Sequence, residues 1–311
     1  MDAWRIHRDA FFLIYSLFFT LLFFRIEMGK NGTWIGKWSA LLLSETKIKL
    51  DMKKRFNPKY EYLSEWADSF ADAGYFENNG ELLYDVGRNV VKRFRLGEMD
   101  VVVKRFGRIT AFNRLMYATV RESKAMRAYK YASKLRRMGI STPEEVAVLE
   151  THDHGMVVDS YFISVYSVYS SLSYLRDFTF EWTECFPLLD SLAVWIFDIH
   201  SKGILHRDLN VGNILYQEQP DGGYSFQLID NNRMKFRHHL SVEERLKDIC
   251  KLSTNFDLHH YLLKKYVQLL PCDGAHVEMK GCFYKLMLEY RQMAKQKAKK
   301  MLGRGRIKKM G

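Results

Sequence analysis

The sequence has few of the residues that build disulfide-bonded or fibrous proteins, with four cysteines and five prolines among 311 residues. The cysteines form no C-x-x-C pair and show no spacing typical of metal ligands. We therefore expect reduced thiols in the core of a cytosolic protein. They are Cys185, Cys250, Cys272 and Cys282. The apolar content of 47% is ordinary for a globular protein, and the length suffices for one large domain or two lobes.

Acidic residues are absent from one stretch near the C-terminus. Between Arg291 and Lys309 there are nine Lys or Arg residues and no Asp or Glu. The net charge of the whole chain is +12, so most of the excess positive charge belongs to this segment. Because the remainder is only mildly basic, we predict no nucleic-acid partner. The segment is either a disordered, solvated end or a contact for a membrane surface.

The longest apolar run, residues 10–24, is shorter than the about 20 residues that a membrane-spanning helix needs. It has fifteen residues, with Arg8 before it and Arg25 after it. No convincing cleavage site of a secretory signal follows it. The run is either a membrane anchor or a stretch upstream of the natural start, and we favour the second because Met52 begins a segment that resembles a fresh N-terminus.

The most informative stretch is residues 203–216, which reads GILHRDLNVGNILY. Apolar residues flank a polar group that contains His206, Arg207 and Asp208, with Asn213 five residues after Asp208. This pattern predicts a loop between a helix and a strand that presents one carboxylate and one carboxamide on the same side. It resembles the H-R-D-L-x-x-x-N catalytic loop of protein-kinase-like enzymes. There the Asp accepts the proton of the attacking hydroxyl and the Asn holds a metal ion against the phosphates.

A second polar group follows twenty-two residues later. Residues 226–230 predict a short strand that ends at Asp230, where kinase-like enzymes place their second metal-holding Asp. The next residues are Asn-Asn-Arg, so the usual D-F-G motif is absent. A surface Asp beside a hairpin turn at residues 221–223 is the alternative. The occurrence of three polar residues in this order favours the kinase-like interpretation.

The N-terminal half is predicted to be strand-rich from about residue 56 to 118. Residues 90–95 and 101–106 flank a turn at Gly97 and predict a hairpin. The second strand reads V-V-V-K, which matches the V-A-I-K strand whose Lys binds the nucleotide's α- and β-phosphates, although a strand Lys commonly points to solvent. This assigns Lys104 to the nucleotide. In the preceding turn, Gly87 stands alone where a G-x-G-x-x-G loop would cover the phosphates.

Helices are predicted from apolar periodicity at Ser123–Met138, Phe186–Ser201 and near residues 241–253, 256–270 and 279–294. The first is lined with Lys and Arg, and Glu122 is the only acid near the position from which kinases pair a Glu with the strand Lys. The second ends at Gly203 and carries the loop that contains Asp208. A further strand is predicted at Tyr161–Tyr169.

Taken together, the loop at 206–215, the Ile-Asp-x-x-Arg-Met run at 229–234, the V-V-K strand and the Gly-Ile-x-Thr-Pro-Glu turn at 139–144 resemble the lipopolysaccharide core kinase family. The resemblance covers roughly residues 52–255. It implies an α+β, two-lobed protein-kinase-like fold with a small β-rich N-lobe and a mainly helical C-lobe. We assign residues 1–51 to an extension, 52–159 to the N-lobe, 160–294 to the C-lobe and 295–311 to a basic tail.

The resemblance also implies a function. Members of this family are bacterial kinases that phosphorylate Kdo or heptose sugars of the lipid A-core at the inner face of the membrane. By resemblance, Asp208 is the general base, Lys104 and Gly87 bind ATP, and Asn213 and Asp230 hold Mg²⁺ against it. The expected partners are a lipid A-core glycolipid and the inner-membrane surface, for a cytoplasmic protein held peripherally or by the N-terminal anchor.

The charge pattern agrees with an anionic sugar substrate. Arg233, Lys235 and Arg237 follow Asp230, whereas an enzyme for polycationic aminoglycosides would need an acidic wall. No proline lies between residues 221 and 270, so the A-P-E segment that seats a peptide in protein kinases is absent. Another small-molecule or atypical protein kinase and a pseudokinase-like binding module stay open as alternatives. A binding module would need none of the four residues Lys104, Asp208, Asn213 and Asp230.

We expect a protein that lacks residues 1–51 to fold and to keep its activity, because the kinase-like pattern begins after them. Thermal melting and phosphate transfer by the truncated and full-length chains would test this. An unfolded or inactive truncated protein would show that the upstream interpretation is wrong.

Overall fold

The computed structural model describes residues 51–301, apart from residues 73, 86, 88, 108–121, 154–155, 177–181 and 253–254. The apolar run at 10–24 and the end of the basic tail lie outside the described residues. The strands are β1 (Asp51–Phe56), β2 (Glu81–Asp85), β3 (Asn89–Leu96), β4 (Met99–Phe106), β5 (Glu145–Asp153), β6 (Met156–Val165), β7 (Ser170–Ser171), β8 (Ile204–Leu205), β9 (Ile214–Glu218), β10 (Tyr224–Leu228) and β11 (Lys235–Phe236). The α-helices are α1 (Ser64–Asp68), α2 (Tyr75–Asn78), α3 (Lys124–Arg137), α4 (Phe186–Ser201), α5 (Val242–Ile249), α6 (Phe256–Val267) and α7 (Gly274–Met301).

The N-lobe is built on an antiparallel sheet in the order β1-β5-β6-β4-β3-β2. The predicted hairpin is confirmed, since β3 and β4 pair from Asn89↔Phe106 to Leu96↔Met99 around a two-residue turn. Side chains alternate between the two faces of β4. Val101 and Val103 are fully buried in the core of the lobe, so Val102 and Lys104 share the opposite face. That face forms part of a cleft wall.

The C-lobe is organised around α4, whose predicted bounds are confirmed. Its apolar side packs against α6 and the C-lobe core, and its buried residues are Leu188, Leu189, Leu192, Ala193, Ile196, Ile199 and His200. The hairpin of β9 and β10 also packs on α4. Because Ile214 pairs with Leu228, the hairpin's open end places Asn213 beside Ile229, whose N–H donates to the Asn213 carbonyl at 3.0 Å.

Three details differ from the sequence prediction. Residues 58–78, predicted to be strand-rich, form short helical segments because Pro58 and the Asn57 cap start a helical turn, and these segments bury Phe70 and Phe76 against the sheet. The strand predicted at 161–169 is β6, which runs through the proposed lobe boundary at residue 159. Helix α7 continues beyond residue 294 to Met301. No helix in the described ranges is both long and apolar enough to span a bilayer.

Substitution of Gly203 by Ala should destabilise the fold by roughly 2–5 kcal/mol, from left-handed strain and overpacking together. Gly203 follows α4 at φ 75°, and an added Cβ would lie 2.0 Å from the Arg237 carbonyl oxygen. The matched control is Gly222→Ala, at φ 80° with no heavy atom within 4 Å of an added Cβ, which should lose only about 1–2 kcal/mol. Urea unfolding would measure both; equal losses would contradict the close contact.

Candidate active site

A cleft of about 720 Å³ runs between the N-lobe sheet and the C-lobe. Lys104, Asp208, Asn213 and Asp230 all line it, although they lie far apart in the sequence. Gly87 is not among the lining residues. Its N–H donates to the Asp85 carboxylate at 2.6 Å in the turn between β2 and β3. The structure thus brings together four of the five residues singled out from the sequence.

Lys104 reaches across the cleft to Asp230. Its ammonium nitrogen lies 2.7 Å from Asp230 Oδ1, and both side chains are largely buried. Burial would raise the pKa of Asp230, but the charge and hydrogen bond of Lys104 outweigh it and lower the pKa below its usual range. The amide of Asn232 also donates to Asp230. Asp230 is therefore held as a carboxylate in the cleft, with a left-handed backbone at φ 59°.

No glutamate of helix α3 takes part in this pair in the described structure. Glu122, the acid nearest the start of that helix, is bound to Lys130 on the helix itself. The ammonium of Lys104 is paired instead with the carboxylate at the end of β10. The sequence has no glutamate at the expected position of this helix, and the Asp230 carboxylate pairs with Lys104 in its place.

The loop that carries Asp208 is fixed by its own side chains. The amides of Asn213 and Asn210 donate to the Asp208 carbonyl at 2.9 and 3.1 Å. The short 3-10 helix Val211–Asn213 then turns the chain into β9. The Asp208 carboxylate is one-third exposed and lies 3.0 Å from Arg233 Nη1. It is thus accessible from the cleft and adjacent to a guanidinium.

Asp248, which the sequence analysis missed, anchors this loop from below. Its carboxylate is buried on α5 and accepts the backbone N–H groups of His206 and Arg207 at 2.7 and 2.8 Å. These bonds hold Arg207 at a left-handed φ of 64° immediately before Asp208. A charged residue beside the buried Leu246 and Ile249 was the signal in the sequence that could have revealed it.

Asp248 stays charged in spite of its burial. Burial raises its pKa, but His200, the Lys251 ammonium and His206 bring the pKa down to about 2. Burial lowers the pKa values of His200 and His206 themselves, while the charge of Asp248 opposes this effect. The hydroxyl of Tyr266 lies 2.8 Å from His200 Nδ1, which leaves Nε2 facing Asp248.

A polar contact that the sequence analysis also missed joins the N-lobe to the segment after Asp230. The buried Asn231 amide donates to Thr142 Oγ1 at 2.9 Å, and the Thr142 hydroxyl donates to the Leu228 carbonyl at 2.7 Å. Helix α3 packs on the same segment, Asn231–Arg233. Both residues belong to the short motifs noted in the sequence, but the motifs gave no reason to expect that they meet.

Part of the cleft wall is apolar. It includes Val91, Val102, Phe162, Leu215 and Ile229. Beside them the chain crosses between the lobes after β6, where the Tyr166 N–H donates to the Asp100 carbonyl at 2.9 Å and Ser167 Oγ donates to Gln227 Oε1 at 2.8 Å. The cleft thus has both apolar and charged lining residues.

The side-chain oxygens that line the cleft suit a hard divalent cation as ligands. Asn213 uses its amide nitrogen on the Asp208 carbonyl, and no donor among the described residues is hydrogen-bonded to its Oδ1. Asp230 adds a carboxylate on the adjacent strand end. Within the described ranges no group of three or more His, Cys, Asp or Glu residues could hold a metal. Mg²⁺ fits such a site, because it binds one or two protein oxygens together with substrate phosphates.

The antiparallel N-lobe sheet, the helical C-lobe and the cleft between them define a protein-kinase-like fold. The solved structure titled "WaaP in complex with acyl carrier protein" shares this fold, with a TM-score of 0.52 over 77% of this chain and 97% of that chain at 15% identity. The model of the lipopolysaccharide kinase (Kdo/WaaP) family matches residues 86–270. No curated protein matches the chain significantly.

The chain therefore belongs to the lipopolysaccharide kinase (Kdo/WaaP) family, and it is a kinase. The family resemblance and the two-lobed fold expected from the sequence are both confirmed. A role in lipopolysaccharide biosynthesis and the use of ATP follow at the level of the family.

Replacement of Asp248 by Asn should remove about 2–3 kcal/mol of stability at neutral pH, because one unit of pKa shift corresponds to about 1.4 kcal/mol. The folded-state pKa of Asp248 is depressed to about 2, so its contribution is present above the unfolded-state pKa near 4. It disappears as the pH falls from about 4 towards 2. Urea unfolding of both proteins across this range would test it. A stability difference independent of pH would contradict the assignment.

Proposed function

We propose that the protein transfers the γ-phosphoryl group of ATP to a hydroxyl of a Kdo or heptose sugar in the lipopolysaccharide inner core. The observation that carries this proposal is the convergence of Lys104, Asp208, Asn213 and Asp230 in one cleft of a chain from this kinase family. The transfer needs a positioned nucleotide, a compensated phosphate charge and an acceptor for the sugar's proton.

The apolar part of the cleft wall supports nucleotide binding. Its residues Val91, Val102, Leu215 and Ile229 would contact a planar base. Lys104 lines the same cleft, where its ammonium would contact the phosphates. With the nucleotide bound, phosphate oxygens compete with Asp230 for this ammonium. If the turn at Gly87 covers the nucleotide, we expect only its backbone to contact it, because this turn has one glycine where the usual motif has three.

The oxygens of Asn213 and Asp230 would hold Mg²⁺, which supplies charge compensation for the phosphates when it is bound. The depressed pKa of Asp230 keeps that residue a carboxylate, the form that binds a cation. Asn213 in turn is oriented by its bond to the Asp208 carbonyl, so the metal-binding and proton-accepting groups share one rigid loop.

Asp208 is the proposed general base. Its carboxylate is accessible from the cleft, and its backbone is fixed on both sides by Asp248 and Asn213. When a sugar hydroxyl attacks the γ-phosphorus, the carboxylate accepts the hydroxyl proton. Arg233 beside it adds a positive charge that suits an anionic sugar and the developing charge on the phosphoryl group.

A glycolipid acceptor requires access to the membrane. We propose that the enzyme works in the cytoplasm as a peripheral protein at the inner membrane, with the basic tail facing anionic headgroups. Another small-molecule or atypical protein kinase on the same scaffold is the alternative function. The guanidinium of Arg233, which lies beside the Asp208 carboxylate, favours the anionic glycolipid as the substrate.

Asp208→Ala should lower the rate of phosphate transfer by about 10²–10⁴-fold, because the sugar hydroxyl loses its proton acceptor. The measurement is transfer from labelled ATP to purified lipid A-core. Asp257→Ala, which removes an exposed carboxylate at the start of α6, is the matched control and should leave the rate unchanged.

The substrate class is tested with the same variants in cells. Mass spectrometry of lipid A-core from cells without the gene should show the loss of one inner-core phosphate, restored by wild type and Asp257→Ala but not by Asp208→Ala. Unchanged lipid in cells without the gene would refute the glycolipid substrate, and full turnover by Asp208→Ala would refute the mechanism.

A further inference from the structure

Helix α7 is apolar on two opposite sides, and only one of them is covered by the protein. The uncovered side carries a stripe of large residues at alternating spacings of four and three, each between 53% and 67% exposed. We call this set the α7 stripe: Met279, Phe283, Leu286, Tyr290 and Met293. At 3.6 residues per turn these residues fall on one side of the helix over about 20 Å.

The other side of α7 fixes which way the stripe points. Gly281 lies so close to α6 that an added Cβ would be 2.6 Å from Leu263 Cδ2, and Val277 is buried on the same side. The buried Lys285 side chain donates to the Leu252 carbonyl at 2.9 Å. Because these residues lie on the side of the helix opposite the α7 stripe, the stripe faces away from the body of the protein.

The C-terminal part of α7, which begins within the α7 stripe, extends into solvent. Every residue from Tyr290 to Met301 is exposed, which corresponds to roughly three turns of helix. This stretch has five basic residues and no acidic one: Arg291, Lys295, Lys297, Lys299 and Lys300. An exposed apolar side next to a dense positive charge is typical of helices that lie in the interface of an anionic bilayer.

We propose that the α7 stripe docks into the surface of an anionic membrane, with α7 parallel to the bilayer plane and its basic end among the headgroups. A second copy of the chain packed in parallel is a poorer occupant, because such a pair would place five cations against five others. The long Lys side chains can extend to the headgroups while their stems lie along the apolar layer. The inference rests on the peripheral membrane location proposed above and names the surface that makes the contact, but it does not depend on the identity of the sugar substrate.

Co-sedimentation with vesicles tests the proposal. The full chain should bind vesicles of phosphatidylglycerol and phosphatidylcholine better than vesicles of phosphatidylcholine alone, and salt should weaken the binding. The triple variant Phe283→Gln, Leu286→Gln and Met293→Gln should bind the anionic vesicles at least about tenfold more weakly, because the inserted apolar area is lost. Gln keeps helix propensity high, so α7 should stay helical.

Two controls separate this result from other effects. The double variant Tyr62→Gln and Val194→Gln removes exposed apolar residues elsewhere and should bind like wild type. Asp208→Ala should also bind normally, so a failed kinase mechanism and a failed docking surface give different results. Since residues 10–24 are apolar too, hydrogen exchange should show new protection at residues 279–293 on vesicles.

Three outcomes would overturn the proposal. The first is wild-type binding by the triple variant with no added protection of α7. The second is a wild-type dimer, detected by light scattering, that the triple variant converts to monomers, which would assign the stripe to a second copy. The third is stripe-dependent binding of an acidic protein without any binding to anionic vesicles.

Discussion

The buried, charged carboxylate of Asp248 holds the loop that carries Asp208 in its shape. Asp248 accepts two consecutive backbone N–H groups, and those bonds keep Arg207 in a left-handed conformation that a side-chain-bearing residue seldom adopts unaided. Desolvation opposes this arrangement, and the surrounding histidines and Lys251 compensate for it. The position of Asp208 in the cleft therefore depends on a residue that does not line the cleft itself.

Two polar contacts join the lobes beside the apolar packing of Leu135 and Ile140 against the C-lobe core. Lys104 joins the N-lobe sheet to Asp230, and the next residue, Asn231, joins Thr142. The first contact has to exchange when phosphates enter, because the same ammonium and the same carboxylate are the groups proposed to bind them. The second contact involves no group proposed to bind substrate. It can thus hold the two lobes in register while the first one changes partners.

The sequence was informative where a local pattern has a single physical meaning. The bounds of α4, the hairpin of β3 and β4, and the adjacency of Asn213 and Asp230 all follow from apolar periodicity and short motifs. The helical turns at 58–78 were missed because this segment contains aromatic residues, which favour strands. In the structure these aromatic residues pack against the sheet from helical turns. Asp248 was missed since its role is to bind backbone atoms forty-one and forty-two residues away, and no local pattern encodes such a contact.

The register of β9 and β10 has a consequence for the tolerance of the chain to insertions. Both proposed metal ligands lie at the open end of this hairpin, whereas its closed end at residues 219–223 is exposed or half-exposed. Five paired residues separate the two ends, a distance of about 17 Å at 3.3–3.4 Å per residue. A peptide tag or a longer loop placed there would leave the strand pairing intact. A label attached to this turn would therefore leave Asn213 and Asp230 in place.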